Sequence, residues 1–229
     1  MTRHQLKEQD EITTSLQTFT ELLVAKKREV TIGVSVVAAL VIIFFGWNYY
    51  SSSRNAKAQA ELSQAISTYS DTTIKSDKER YQKALAAAQK TYDDYRSSAA
   101  GKMALYYVAM SQEGLGDTTK AEQNLIEVIQ RGDANTRGVA QFALAEIYKK
   151  HGNTQKAIDT YKPLFESGGY SKSAVAYELA TLYEANKQTD QAKEFYQKVV
   201  TDFPDSPFRQ NADEALKRLG VVTPPPKPS

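Results

Sequence analysis

Side chains able to do covalent or metal chemistry are scarce in this chain. Its histidines are His4 and His151, and it has no cysteine. Disulfides, thiolate metal sites and cysteine nucleophiles are therefore excluded, and triad chemistry loses its usual base. Carboxylates number 27, so pairs such as Asp93–Asp94, or Glu113 with Asp117, arise from abundance alone and read as solvated helix faces. His151 stands before a glycine in the turn between two predicted helices, the place of a surface helix-capping residue. No phosphate-binding glycine loop, HExxH or GxSxG sequence occurs. The expectation is a protein that is not an enzyme and holds no cofactor or metal.

The formal net charge is +2, and the longest basic run is Lys26-Lys27-Arg28. A nucleic-acid partner would call for a basic stripe, so none is expected. Hydrophobic residues at 41% against 24% charged indicate a folded chain. Lack of cysteine suits oxidising and reducing compartments alike and does not decide location.

What remains to be positioned is apolar surface. From Val30 to Ser53 there is no charge, and the run VTIGVSVVAALVIIFFGWNYY would make a helix of roughly 31 Å, matching a hydrocarbon core of ~30 Å. Val30 opens this run and Leu40 sits near its middle. Phe44, Phe45, Trp47, Tyr49 and Tyr50 close it as an interfacial aromatic belt, with Lys26, Lys27 and Arg28 before it. A cleaved signal would be shorter and end in small residues, so an uncleaved anchor over 30–50 is expected. The basic flank places the N-terminus in the cytoplasm and the rest of the chain outside it. Ser35 and Ala39, with Gly33 and Gly46, fit either a helix-dimer seam or a plain lipid-facing surface. Ahead of the run, residues 1–29 form a cytoplasmic amphipathic segment, with Ile12, Leu16, Phe19 and Leu23 at helical spacing.

Beyond the run, internal repetition dominates. Small residues recur at Ala109, Ala145 and Ala180, and again at Ala121, Ala157 and Ala192. Turns fall at Gly116-Asp117, Gly152-Asn153 and Lys187-Gln188, followed by bulky apolar residues Leu125, Tyr161 and Tyr196. Alanine is needed where antiparallel helices cross closely, large residues such as Tyr148 and Tyr183 fill the flanks, and glycine or asparagine takes the left-handed turn. A hairpin of this kind cannot bury its apolar face alone, so several stack.

The pattern resembles the tetratricopeptide repeat over about residues 102–220, with Gln112 where an aromatic is usual and no tryptophan early in the first helix. The fold class is thus all-α: one transmembrane helix followed by a right-handed solenoid of helical hairpins. Its segments are 1–29, a span at 30–50, a linker and degenerate hairpin at 51–101, three repeats with a capping helix at 102–220, and a disordered proline-rich tail at 221–229. The capping helix runs from Phe208 to Leu219, with Asp205 or Ser206 near its N-cap and Gly220 at its stop. The resemblance implies a groove lined by the first helix of each repeat. Its residues here would be Met103, Tyr106 and Met110; Phe142, Glu146 and Lys149; Tyr177, Thr181 and Glu184. The recurring aromatics Tyr106, Phe142 and Tyr177 suit recognition of apolar segments, and equally suit packing between repeats. Aromatics, methionines and mixed charges stand at these positions instead of the set of lysines and asparagines that makes a carboxylate clamp.

The whole arrangement resembles the ancillary subunits of the bacterial Sec translocon. That likeness implies an inner-membrane protein with a periplasmic repeat domain, binding translocon subunits, periplasmic chaperones or secretory clients. The segment DFPDSPFRQNADEALKRLG also resembles repeat endings in envelope-assembly and cell-division coordinators, which leaves that class open as an alternative. Self-association is a further possibility that the pattern does not decide.

Overall fold

The structure, a computed structural model, describes residues 26–221. The expected amphipathic helix around Ile12 to Leu23 and the tail from residue 222 lie outside the described residues. The chain divides into two compact units, Met1–Arg54 and Asn55–Ser229, and all secondary structure among the described residues is helical.

The described part of the first unit lies in α1, Lys27–Tyr69. The helix does not stop at residue 50. Ser51 to Asn55 contain neither glycine nor proline, so nothing ends it there. Its apolar window has a mean hydropathy of 2.0 and none of it is buried. Leu40, Phe44, Phe45, Trp47, Tyr49 and Tyr50 are all exposed, Trp47 at 72%. Val30 lies in the first turns of α1. This is one helix long and apolar enough to cross a membrane.

In the second unit, the end of α1 is followed by α2 (Asp77–Tyr95), α3 (Ala99–Gly114), α4 (Thr118–Arg131), α5 (Ala134–Lys150), α6 (Thr154–Ser167), α7 (Lys172–Ala185), α8 (Thr189–Asp202) and α9 (Arg209–Arg218). From α2 to α9 each helix packs on its neighbour in sequence, which is the hairpin stacking that the repeats imply. The all-α hairpin solenoid expected from the sequence is the fold observed. Ala109, Ala121, Ala145, Ala157, Ala180 and Ala192 are all fully buried, and Leu125, Tyr161 and Tyr196 fill the adjoining space. Before the repeats, the end of α1 meets α2 through Lys90 Nζ and Glu61 Oε2 at 2.7 Å and through the rings of Tyr69 and Tyr81, 5.5 Å apart.

The hairpin turns share one hydrogen-bond pattern. After α3, Asp117 N–H donates to Gln112 O and Gly116 N–H to Glu113 O; the same pair of bonds closes α5, α7 and α9. This is the Schellman arrangement, which requires a left-handed residue. Gly116, Gly152 and Gly220 supply it, but after α7 the position belongs to Lys187, at φ 60°. Asparagine was the expected alternative to glycine; Asn186 instead takes the preceding C-cap position in the right-handed half of the map.

The start of α9 and one close approach add detail that spacing does not give. Helix α9 has Phe208 at its N-cap, without a side-chain capping bond. Ser206 stands near it, as expected, its hydroxyl accepting from Phe208 N–H in the preceding turn. At Gly138 a Cβ would fall 1.7 Å from Gly169 O. The start of α5 therefore lies directly on the backbone of the α6–α7 turn, a contact no sequence period announces.

Candidate functional site: the face of the first helices

Helices α3, α5 and α7 start alike. Ser98 Oγ accepts from Gly101 N–H at 2.9 Å, Asp133 from Thr136 at 3.0 Å, and Ser171 from Ala174 at 3.4 Å. These caps satisfy orphan donors and set the register in which each first helix presents its side chains. All nine anticipated face residues are half-buried: Met103, Tyr106, Met110, Phe142, Glu146, Lys149, Tyr177, Thr181 and Glu184.

The aromatic members knit repeats together while keeping an edge outward. Phe142 meets Tyr161 of α6 edge-on at 5.3 Å and stacks on Tyr170 of the next turn at 4.3 Å. Tyr177 repeats the motif one hairpin later, edge-on to Tyr196 at 5.9 Å and stacked on Phe208 at 5.2 Å. Tyr106 instead packs beside Tyr107 at 5.2 Å, and Tyr107 faces Tyr69. Burial first, then the neighbouring phenols of Tyr107, Tyr69 and Tyr170, push the Tyr106 hydroxyl up to about 12. It stays a neutral donor at physiological pH. Met103 and Met110 pack against the core beside it.

The polar members turn inward to their neighbours. Glu146 accepts from the Tyr161 hydroxyl and pairs with Lys149 Nζ at 2.6 Å. Lys149 also reaches Glu178 of α7 at 2.7 Å, joining two first helices. Burial would lower the Lys149 pKa, but bonds from Glu146 and Glu178 outweigh it and the net shift is upward. Thr181 donates to Glu178 O of its own helix at 2.8 Å. Glu184 accepts from Tyr196 at 2.8 Å and from Arg218 of α9 at 2.9 and 3.1 Å. Its burial opposes ionisation, and the Arg218 and Tyr196 donors reverse that to a lowered pKa.

One carboxylate read as solvated is not. Glu113 is 8% exposed. It accepts from Lys150 Nζ at 2.7 Å and Thr118 Oγ1 at 2.9 Å, and lies 3.1 Å from His151 Nε2. Burial raises its pKa, but these donors prevail and the net shift is downward. His151 is the exposed C-cap of α5, as its place before Gly152 implied. Three-residue groups of His, Cys, Asp or Glu able to hold a metal are absent among the described residues.

Several members of the face were not foreseen. Tyr69, Tyr107, Tyr170 and Phe208 extend the aromatic row, and Glu178 and Arg218 complete the polar pairs. Tyr170 and Phe208 both sit immediately before a helix, one ahead of the Ser171 cap of α7 and the other as the cap of α9. An aromatic in that place is the signal in the sequence that marks a ring stacked on the preceding first helix.

The profile of the tetratricopeptide repeat-like domain matches residues 26–221. The chain belongs to the tetratricopeptide repeat-like domain family. No curated protein matches the sequence. Among solved structures, the nearly identical tetratricopeptide-like repeats of a kinesin light chain from Podosopora anserina align with a TM-score of 0.57 and 18% identity, covering 72% of this chain and 86% of that one. BtubC from P. vanneervenii aligns at 0.50 and 12% identity, covering 78% and 95%. The MamA RS-1 ArsTM double mutant aligns at 0.50 and 13%, covering 73% and 93%. At these identities the likeness is one of fold. Tetratricopeptide repeats generally serve protein–protein interaction rather than catalysis.

Proposed function

We propose that this tetratricopeptide protein is a membrane-anchored, non-enzymatic scaffold whose first-helix face receives a segment of a partner or client protein. Supporting this reading is one pairing of features. The chain combines an apolar run that is not buried among the described residues with a repeat unit whose first helices carry a half-exposed row of aromatics. Fully outward apolar side chains on a membrane-length helix ask for lipid. A rigid row of aromatic edges suits extended or apolar segments, since rings add contact area at little entropic cost. The anchor is residues 30–50, the N-terminus is cytoplasmic, and the repeats are extracytoplasmic. The partners are translocon subunits, periplasmic chaperones or secretory clients, received in a chaperone-like handover at the bacterial inner membrane.

The test is photo-crosslinking of the full chain in cells, with probes at Tyr106, Phe142 and Tyr177 and a control at Ile126, which is exposed on α4. Capture of export components or secretory clients above the control is the expected result. Capture of division or envelope-assembly proteins instead would assign the scaffold to that class. Capture at the control level only would overturn the role of this face. Orientation is checked separately: the chain has no cysteine, so single cysteines at Arg28 and Ser53 can be labelled with an impermeant maleimide. Labelling at Ser53 alone in intact spheroplasts is expected.

A further inference from the structure

A second cluster of charge lies where the end of α2 meets α3 and α4. Arg96, Lys102 and Arg131 line one cleft there, and Glu127 is the carboxylate among its lining residues. The floor is apolar: Leu105 is 4% and Val128 1% exposed, beside the buried ring of Tyr92. None of the nine first-helix residues described above lines this cleft.

The surroundings hold these cations in place. At Gly101 a Cβ would fall 2.0 Å from Tyr95 O, so the start of α3 lies on the last turn of α2. Arg96 and Lys102 are the next residues on either side of that contact. The Arg96 guanidinium lies over the Tyr92 ring, 4.9 Å from its centre. The Tyr92 hydroxyl donates to Glu127 Oε1 at 2.6 Å, and Arg131 Nη1 reaches the same oxygen at 2.6 Å. Arg96 also pairs with Asp93 at 3.3 Å, and Asp93 is not among the lining residues. Lys102, half-buried, makes no ion pair among the described residues. Three cations thus stand against two carboxylates, and the unmatched one is Lys102.

A single negative charge on an apolar stem completes this arrangement. A glutamate side chain supplies both, its methylenes covering Leu105, Val128 and Tyr92 while its carboxylate accepts charge-assisted bonds, for which guanidinium groups are well shaped. A phosphate dianion has no stem for the floor, and its second charge would meet Glu127 in repulsion. We propose that this cleft is a second docking site, which receives a glutamate from an acidic segment of a partner protein, with Lys102 as the pairing cation and Arg96 and Arg131 as flanking donors. The site goes beyond the first-helix reading and does not depend on it.

The experiment titrates the full chain, in nanodiscs of zwitterionic lipid, with fluorescein-labelled GSEELEELSG and with its neutral counterpart GSQQLQQLSG. Binding is read by fluorescence anisotropy at low ionic strength, where charge pairing is least screened. The acidic peptide is expected to bind at least tenfold more tightly than the neutral one. Lys102→Gln keeps the aliphatic stem, and is expected to weaken acidic-peptide binding about fivefold with an unchanged melting temperature. Lys75→Gln removes the same charge from an exposed lysine between α1 and α2, and is expected to change binding less than twofold. Asp93→Asn releases Arg96 and is expected to tighten binding about twofold, a gain that no folding defect produces. Equal binding of the two peptides, equal losses at Lys102 and Lys75, or an unchanged affinity in Asp93→Asn each overturns the proposal. Displacement of the peptide by inorganic phosphate at a lower concentration than by acetylated triglutamate overturns it too, and would assign the cleft to a phosphate-bearing surface. Crosslinking at the first-helix face is read separately, so either site can fail without the other.

Discussion

The apolar residues of α1 and those of the repeats are the same kinds of side chain in opposite circumstances. Ile42 and Phe44 are 72% and 66% exposed, while Leu125 and Val128 are 0% and 1%. Between Val30 and Trp47 apolar residues occupy every side of the helix, and none of the apolar window is buried among the described residues. In the repeats, alanines at the crossings let backbones approach, and each bulky residue finds a space between two helices. Burial in the repeats thus rests on small residues beside the large ones, which let a second helix come close. Where they do, the partner is the chain itself; the apolar residues of α1 have no such cover among the described residues.

That contrast is sharpest in a pair of truncations. Leu125→Ala should lower unfolding free energy by about 3 kcal/mol, through lost transfer energy and a cavity. Phe44→Ala should leave the same transition unmoved. Denaturant titration of the full chain in detergent, followed by far-ultraviolet circular dichroism, distinguishes the two, and equal shifts would break the comparison. In the same experiment Ile42→Asp should also leave the transition in place. Instead it should release the protein from membranes at alkaline pH, since a central aspartate costs about 3 kcal/mol on insertion.

Next in size is Gly138→Ala, which tests whether close approach is what makes an inside. The added Cβ would meet Gly169 O at 1.7 Å, and neither backbone can yield cheaply. A loss of about 2 kcal/mol is expected in the same titration. A neutral result would show that the α6–α7 turn moves freely off α5.

A buried charge sharpens the comparison further. Glu113 has its folded-state pKa below the unfolded value of about 4.3. Its contribution is therefore complete above the unfolded pKa and is lost as pH falls through the folded one. Melting temperatures measured from pH 7 to pH 3 should decline on the acid side, and Glu113→Gln should flatten that decline while lowering stability at pH 7. An unchanged acid slope would remove the role assigned to its bonds with Lys150, His151 and Thr118. The smallest effect is expected at Lys187→Gly. Relieving the left-handed conformation at φ 60°, less the added entropy of glycine in the unfolded chain, should stabilise by up to about 1 kcal/mol.

Much of this architecture was legible in the sequence because it is periodic. Alanines recurring through Ala109, Ala145 and Ala180 mark helix crossings, Gly116 and Gly152 mark left-handed turns, and an unbroken apolar run marks α1, since each follows from local sterics or one-dimensional pattern. The face residues from Met103 to Glu184 could be placed on first helices for the same reason. Tertiary structure alone decided what those side chains do there. Glu113 looked like any surface carboxylate until α5 brought Lys150 and His151 onto it. Gly138 carried no turn signal, because its constraint comes from the backbone at Gly169. The carboxylate partners of Tyr92, Tyr161 and Tyr196 depend on where Glu127, Glu146 and Glu184 arrive in space. A sequence states spacing along a helix, and spacing determines which residues share a face. Which groups meet across two helices depends on their crossing, which is a property of the packed whole.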